Sequence, residues 1–207
     1  MPEHNPNARL ETFCDGVFAI AMTLLIVDIK IPSTVEITNT GQFWVALNHI
    51  TPSIVAFLLS FTIIFITWVN HHSTLKSLSR TSTAFIYANG FLLLTVVVVP
   101  FPTSLLGEHL LTDHSAPAVI LYDSTLGLQA LGWILLCTAA TKGQLTKNET
   151  SRRAVLGDRK VAYLALALYS LCAIIAFWLP RYIAIVTIIT WTFWLLYGLT
   201  IRRQEKD

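Results

Sequence analysis

Charge is scarce in this sequence. Of 207 residues only 13% are Asp, Glu, Lys or Arg, whereas 54% are hydrophobic. Soluble domains carry roughly a quarter charged residues, so a soluble domain is excluded and an integral membrane protein is implied. Cysteine is equally thin. Cys14, Cys137 and Cys172 lack any Cys-x-x-Cys spacing and lie in or beside apolar runs, which excludes a redox or thiolate-metal motif and leaves them as small buried hydrophobes. No internal repeat is evident, and no polar stretch is long enough to fold as a soluble domain. No His-Glu-x-x-His spacing exists, so an enzyme built on a helical metal site has no support. His109, Asp113, His114 and Asp123 fall close together, but two His and two Asp in such a segment are common by chance. The expectation is no enzyme, no cofactor, no metal and no nucleic-acid partner.

Long apolar runs are what is present. A bilayer core of about 30 Å takes about 20 helical residues at about 1.5 Å each. Six stretches meet that length: about 10–31, 45–69, 83–106, 116–140, 161–179 and 182–201. Pro32-Ser-Thr, His71-His72-Ser-Thr and Pro180-Arg181 are polar or proline breaks between them, and the last is so short that spans five and six should form a tight hairpin. Asp123 and Gln129 interrupt the fourth span. Residues 142–160 read as the largest polar loop. The expected fold is an all-α membrane protein, with residues 1–207 forming a single six-helix transmembrane domain.

Lysine and arginine orient it. With the N-terminus inside, the inner segments hold Arg9, Lys76, Arg80, Lys142, Lys147, Arg152, Arg153, Arg159, Lys160, Arg202, Arg203 and Lys206, whereas the outer segments hold Lys30 and Arg181. Both termini are therefore expected in the cytoplasm. The first run is expected to stay as a helix and not to act as a signal peptide. Glu3, Glu11 and Asp15 precede its apolar part against one arginine, and no small-x-small cleavage site follows it.

A helical wheel divides this first helix. With Asp15 at 0°, Thr23 falls near ~80°, Val27 near ~120°, Ile20 near ~140°, Ile31 near ~160° and Leu24 near ~180°. Phe13 and Gly16 share that side. Asp15 and Glu11 point roughly the other way, with Ala19, Met22 and Ile26. An ionised carboxylate facing lipid is costly, so Asp15 should face protein or a water-filled cavity. Asn70, His71, His72 and Asn89 lie at the same expected depth and form a candidate polar cluster with it. That cluster is either packing glue between helices one to three or a proton- or ion-linked gate, since histidine titrates in the physiological range. The Ile20 face likewise has two readings, helix packing or lipid contact against a pore wall with a hydrophobic constriction.

Arg9-x-x-x-Phe13-Cys14-Asp15-Gly16 and the apolar run to Asp28 resemble the first helix of the transmembrane protein 175 family. Those proteins are potassium-permeable channels of bacterial membranes and of animal endosomes and lysosomes. Trp68-Val-Asn-His-His72 resembles the same family, as does Asn89-Gly-Phe-Leu-Leu-Leu with Pro100-Phe-Pro-Thr103 and Leu106-Gly-Glu108. The resemblance covers about residues 9–109. It implies a bacterial-type, single-repeat subunit that assembles as a homotetramer in the plasma membrane, with the first helix lining a central pore. It implies a pore constriction at Ile20, Leu24 and Val27, selectivity at Ile20 and Thr23, and a cytoplasmic-end signature at Arg9, Phe13 and Asp15 that supports the helix through hydrogen bonds to its neighbours. Cys14 stands where the family usually has serine, and Val27 where leucine is commoner. A thiol is a weak donor, so the serine's role is weakened here.

The function this implies is passive conduction, with K⁺ preferred among monovalent cations and no cofactor needed. No Thr-Val-Gly-Tyr-Gly loop exists, so carbonyl coordination of that kind is unavailable. Selection must come from width and dehydration at an apolar ring, aided by Thr23, and a moderate preference is expected. Asp28, at the outer mouth, either raises the local cation concentration or is a solvated helix end. The competing reading is a proton-permeable channel or proton-coupled transporter using Asp15 with His71 or His72. The sequence shows no broken-helix pair of the kind many transporters use.

Overall fold

A chain in lipid must satisfy its backbone internally, and a strongly apolar sequence does so by coiling into helices. A computed structural model describes residues 7–30 and 37–204, with side chains described as far as Trp194. The helices are α1 (Ala8–Val27), α2 (Thr40–His49), α3 (Thr51–Lys76), α4 (Thr83–Val98), α5 (Pro100–His109), α6 (Ser115–Lys142), α7 (Glu149–Ile175) and α8 (Pro180–Gln204). Among the described residues, four helical lengths are long and apolar enough to cross a membrane: α1, α3, α4 with α5, and α6. The protein is all-α and membrane-embedded. The expected end of the first span at residue 31, including Ile31 and the Pro32 break, lies outside the described residues.

Several boundaries differ from the sequence reading, each for a local reason. The second span begins later than residue 45, because α2 is a separate short helix. Asn39 caps α2 by accepting the Gln42 amide, and α3 restarts with Pro52 in its first turn, where a missing N–H costs nothing. His71-His72-Ser-Thr does not break α3, which runs on to Lys76. Neighbouring helices bury His71 and Thr74 there, so these polar residues need no turn. The third span is two helices meeting at Val99, because Pro100 can neither donate to the preceding turn nor fit against it. The expected loop 142–160 is helical from Glu149 onward. Asn148 supplies the cap by accepting the Ser151 amide at 2.8 Å, a preferred N-cap residue that the run of basic side chains obscured.

The expected tight hairpin of spans five and six is also corrected. Residues 176–179 do join α7 to α8 closely, but α8 packs mainly on α6 and α3. Thr187 of α8 hydrogen-bonds Asp123 of α6, and the rings of Tyr122 and Trp191 lie 5.8 Å apart. Among the described residues, the most extensive packing joins α6 and α7. Asp123 and Gln129, which seemed to interrupt the fourth span, are both buried inside this bundle.

Among the described residues, three apolar clusters fill the interior. One joins α1 to α3 and α4 through Phe18, Leu25, Ile64 and Val96. A second joins α3 and α4 to α6 through Phe85, Leu92 and Leu136. The third joins α6, α7 and α8 through Tyr122, Tyr169 and Trp191. Cys14, Cys137 and Cys172 are free and buried in these clusters.

The two ends of the bundle are tied differently. At one end a backbone clip pairs Leu78 with Thr146. Ser79 N–H donates to Leu145 O at 2.8 Å, and Lys147 N–H donates to Ser77 O at 2.9 Å. Asn7 Nδ2 donates to Leu78 O at 3.3 Å, which fixes the start of α1 to the same clip. At the other end Lys30 pairs with Glu108 at 2.7 Å and Arg181 with Asp113 at 3.2 Å. The segments carrying Arg9, Lys76, Arg80, Lys142 and Lys147 thus share one end, and those carrying Lys30 and Arg181 share the other.

Close approach of α3 and α5 requires a glycine. A Cβ on Gly107 would lie 2.7 Å from Ser53 Cα, a distance that real structures do not tolerate, whereas a Cβ on Gly157 would meet nothing within 4 Å. Gly107→Ala is expected to lower stability by about 1–3 kcal/mol, the usual cost of overpacking. Gly157→Ala should leave stability unchanged or raise it. Thermal unfolding of the two purified variants in detergent checks the contrast.

Candidate functional site

The first helix is held along one stripe. Cys14, Phe18, Ala21 and Leu25 recur at helical spacing and are buried against α3, α4 and α5. The opposite side is bare within the chain. Ile20 is 61% exposed, Leu24 44% and Val27 74%, and Gly16 and Thr23 are exposed with them. The open sector is wider than the wheel suggested, because Ala19 and Ile26 also belong to it. Asp15 is half-buried and sits on the flank of the open face, about a quarter turn from the centre of the buried stripe.

The open face is apolar with one hydroxyl. Thr23 Oγ1 donates to Ile20 O at 2.9 Å. The hydroxyl proton is therefore committed to the helix's own backbone, and the oxygen presents its lone pairs outward. Asp28 follows as the C-cap residue and is exposed. Its charge adds to the negative end of the helix dipole.

Polar contacts fasten the other side. Asn89 Nδ2 donates to Cys14 Sγ at 3.2 Å, and Asn89 Oδ1 lies 2.6 Å from His71 Nε2. An amide oxygen only accepts, so His71 Nε2 carries the proton and donates. All three residues are buried, and the His71 ring lies 5.3 Å from Phe18. One hydrogen-bond chain thus joins α1, α4 and α3. Cys14 serves in it as acceptor, a role that does not need the strong donor a serine would provide. A second contact runs from Trp68 Nε1 to Asp15 Oδ1 at 2.8 Å, and His72 stacks on Trp68 with ring centroids 5.9 Å apart.

The structure therefore splits the proposed polar cluster. His71, Asn89 and Cys14 form one unit; Asp15, Trp68 and His72 form another. Among the described residues no hydrogen bond joins Asp15 to either histidine. Asn70 is not in either unit: it is exposed and lines a cleft of about 450 Å³ between α3, α6 and α7, away from α1. Arg9 is exposed and Phe13 is 61% exposed, and Cys14 and Asp15 bond to neighbouring helices. Trp68 is the partner that sequence reasoning missed. Its signal was an indole N–H one turn before a histidine pair, at the depth of a carboxylate. The His109, Asp113, His114 and Asp123 group does not converge either. Asp123 is fully buried while the other three are exposed, and the described residues contain no set of three or more His, Cys, Asp or Glu arranged to hold a metal.

Comparison with known proteins identifies this arrangement. Residues 9–100 match the model of the family described as "Endosomal/lysosomal potassium channel TMEM175". A protein of Chamaesiphon minutus named as a potassium channel is 41% identical over 155 residues, covering 74% of this chain and 76% of that one. The chain belongs to the TMEM175 family. The crystal structure of a lysosomal potassium-selective channel TMEM175 homolog from Chamaesiphon minutus superposes with a TM-score of 0.82 at 34% identity, covering 93% of this chain and 97% of that one. A bovine relative named as an endosomal/lysosomal proton channel TMEM175 is 34% identical over 84 residues, covering 37% of this chain and 18% of that one. TMEM175 proteins are ion channels, which settles the enzyme question. The match with the family model takes in α1 to the start of α5, including both polar units.

Loss of the Asn89 side chain should leave Cys14 and His71 without partners in a buried site. Asn89→Leu is expected to cost about 1–3 kcal/mol, whereas Cys14→Ser, which keeps an acceptor, should change stability far less. Thermal unfolding in detergent, read by loss of monodisperse protein on size exclusion, distinguishes them.

Proposed function

We propose that this chain forms a K⁺-preferring cation channel in which four copies place the open face of α1 around a central pore. The bare Ile20–Thr23–Leu24–Val27 face carries the reading. It is uninterrupted by charge, is left uncovered by the chain's own helices, and lies on the helix that Cys14 and Asp15 brace from behind. The full bundle in this proposal has six spans. α7 and α8 supply the fifth and sixth, and both termini lie in the cytoplasm of a bacterial cell. Clustering of basic segments at the clipped end of the bundle supports that orientation.

Four isoleucines at one level form a constriction that an ion passes only by shedding water. Four Thr23 oxygens one turn on, each with lone pairs free, replace part of that hydration. Asp28 concentrates cations at the mouth. Selection by dehydration at an apolar ring favours K⁺ over Na⁺ moderately, since the larger ion holds its water less tightly. Valine at position 27 leaves that level wider than leucine would, so Ile20 and Leu24 carry more of the barrier.

Bilayer recording of reconstituted protein under bi-ionic K⁺/Na⁺ conditions tests the assignment. Ile20→Asn should wet the constriction and lower the K⁺/Na⁺ permeability ratio, and Thr23→Ala should lower K⁺ conductance. Permeability ratios unchanged in Ile20→Asn would sink it.

A second reading is favoured by the proton-channel name of the bovine relative and by the Asp15–Trp68–His72 contact. In that reading protons pass using Asp15 and the two histidines. It requires proton current to vanish in His71→Gln with His72→Gln. K⁺ current that persists in the double variant while proton current is lost would show both conductions in one pore.

A further inference from the structure

The bundle of α3, α5, α6 and α8 contains polar groups that play no part in bracing α1. Asp123 lies on α6 with no accessible surface. Thr187 Oγ1 of α8 lies 2.9 Å from its Oδ1 and 3.0 Å from Ile183 O, so its one proton is shared between two acceptors, while Oδ2 has no hydrogen-bond partner among the described residues. None of the four ion pairs among the described residues reaches it. The titratable groups that sense its charge are Tyr122 on α6 and Tyr169 and Cys172 on α7, all neutral when protonated. The cavity beside it is walled by Val55 and Leu59 of α3, Leu106 of α5, and Ala184 and Ile188 of α8, none of which carries charge.

A carboxylate stripped of water with no cation beside it is far costlier than the neutral acid. Ionisable groups buried at this depth are therefore functional candidates. With its proton on Oδ2, the neutral acid needs an acceptor for that O–H. The cavity meets that need. It offers about 20 Å³, room for one water. Trp191 lines the same cavity, and its Nε1 also has no hydrogen-bond partner among the described residues. Both unpartnered groups are then donors at one cavity, and a water oxygen has the lone pairs to accept from two donors. The cavity lies towards one end of the bundle. Pro52 near the start of α3, Leu110 after α5 and Ala184 near the start of α8 line it, and the Lys30–Glu108 pair closes that same end.

We propose that Asp123 is a proton-binding site separate from the α1 face, holding its proton on Oδ2 and hydrogen-bonding through one internal water shared with Trp191 Nε1, reached from the membrane face at which α1 ends. Loss of the proton leaves a carboxylate between α6 and α8 with Thr187 and one water to stabilise it. Packing of α8 on α6 then weakens as pH rises at that face. Its polar groups, Asp123, Thr187 and Trp191, all belong to one chain.

Infrared difference spectra of the full-length protein in lipid vesicles, recorded across a pH titration, test this without measuring ion conduction. Wild type is expected to show a carboxylic-acid carbonyl band at neutral pH that is absent from Asp123→Asn. The same band should shift in Trp191→Phe, which removes one donor to the water. Asp123→Asn should also flatten the fall in thermal stability on the alkaline side. A folded Asp123→Asn variant whose acid band matches wild type would overturn the proposal. Should that variant fail to fold, isotope-labelled aspartate in Thr187→Val decides instead. The labelled acid band must move when the hydroxyl is lost, and a band that is missing or unmoved overturns the assignment.

Discussion

The fold of the first helix depends on burying one stripe and leaving the rest open. Cys14, Phe18, Ala21 and Leu25 give α1 an apolar seam no wider than one row of side chains, and lipid tails would accept that row as readily as protein does. What makes the protein surface the better partner is the Cys14–Asn89–His71 chain, together with Trp68 holding Asp15. Each of these groups would be unsatisfied in hydrocarbon. The polar contacts therefore choose the docking, and the apolar seam follows it. A helix held in this way can present an unbroken face to something other than its own chain, which a pore requires.

The same logic recurs wherever a polar side chain enters the bundle. Ser60 links to Thr103 at 2.6 Å and to Tyr122 at 3.1 Å, joining α3, α5 and α6. Thr187 links α8 to Asp123. In water such pairs would add little, since each group has solvent as an alternative. In a bilayer they register one helix against another where dispersion alone discriminates weakly. Gly107 and Gly132 complement them by letting backbones approach, Gly107 against Ser53 and Gly132 against Leu92.

Much of this was legible in the residues. The scarcity of charge gave the membrane class, and the wheel separated Asp15 from Ile20, Leu24 and Val27 because helical geometry is rigid. The resemblance at Arg9 to Asp28 pointed to the family. What stayed hidden had physical causes. Polarity was read as loop at His71–Thr74 and again at 149–160, yet buried partners tolerate the first and an asparagine cap with exposed helix tolerates the second. Hydropathy could not divide α2 from α3 because Phe43, Trp44 and Val45 are as apolar as the span they precede. The pairing of Trp68 with Asp15 and of Thr187 with Asp123 depends on which helices adjoin, and linear spacing carries no such information.

The fastening of α1 is unequal from end to end. Its start is fixed through Asn7 to a clip of backbone hydrogen bonds that also joins two interhelical connections. Its far end is tethered to α5 by Lys30 and Glu108, with the lysine side chain 78% exposed. An exposed pair is screened by dissolved salt, over about 8 Å at physiological ionic strength, whereas the clip is not. Among the described residues, α1 is thus anchored rigidly at its start and by an electrolyte-sensitive spring at its end. Salt at that face then acts on how firmly the end of α1 is held to α5.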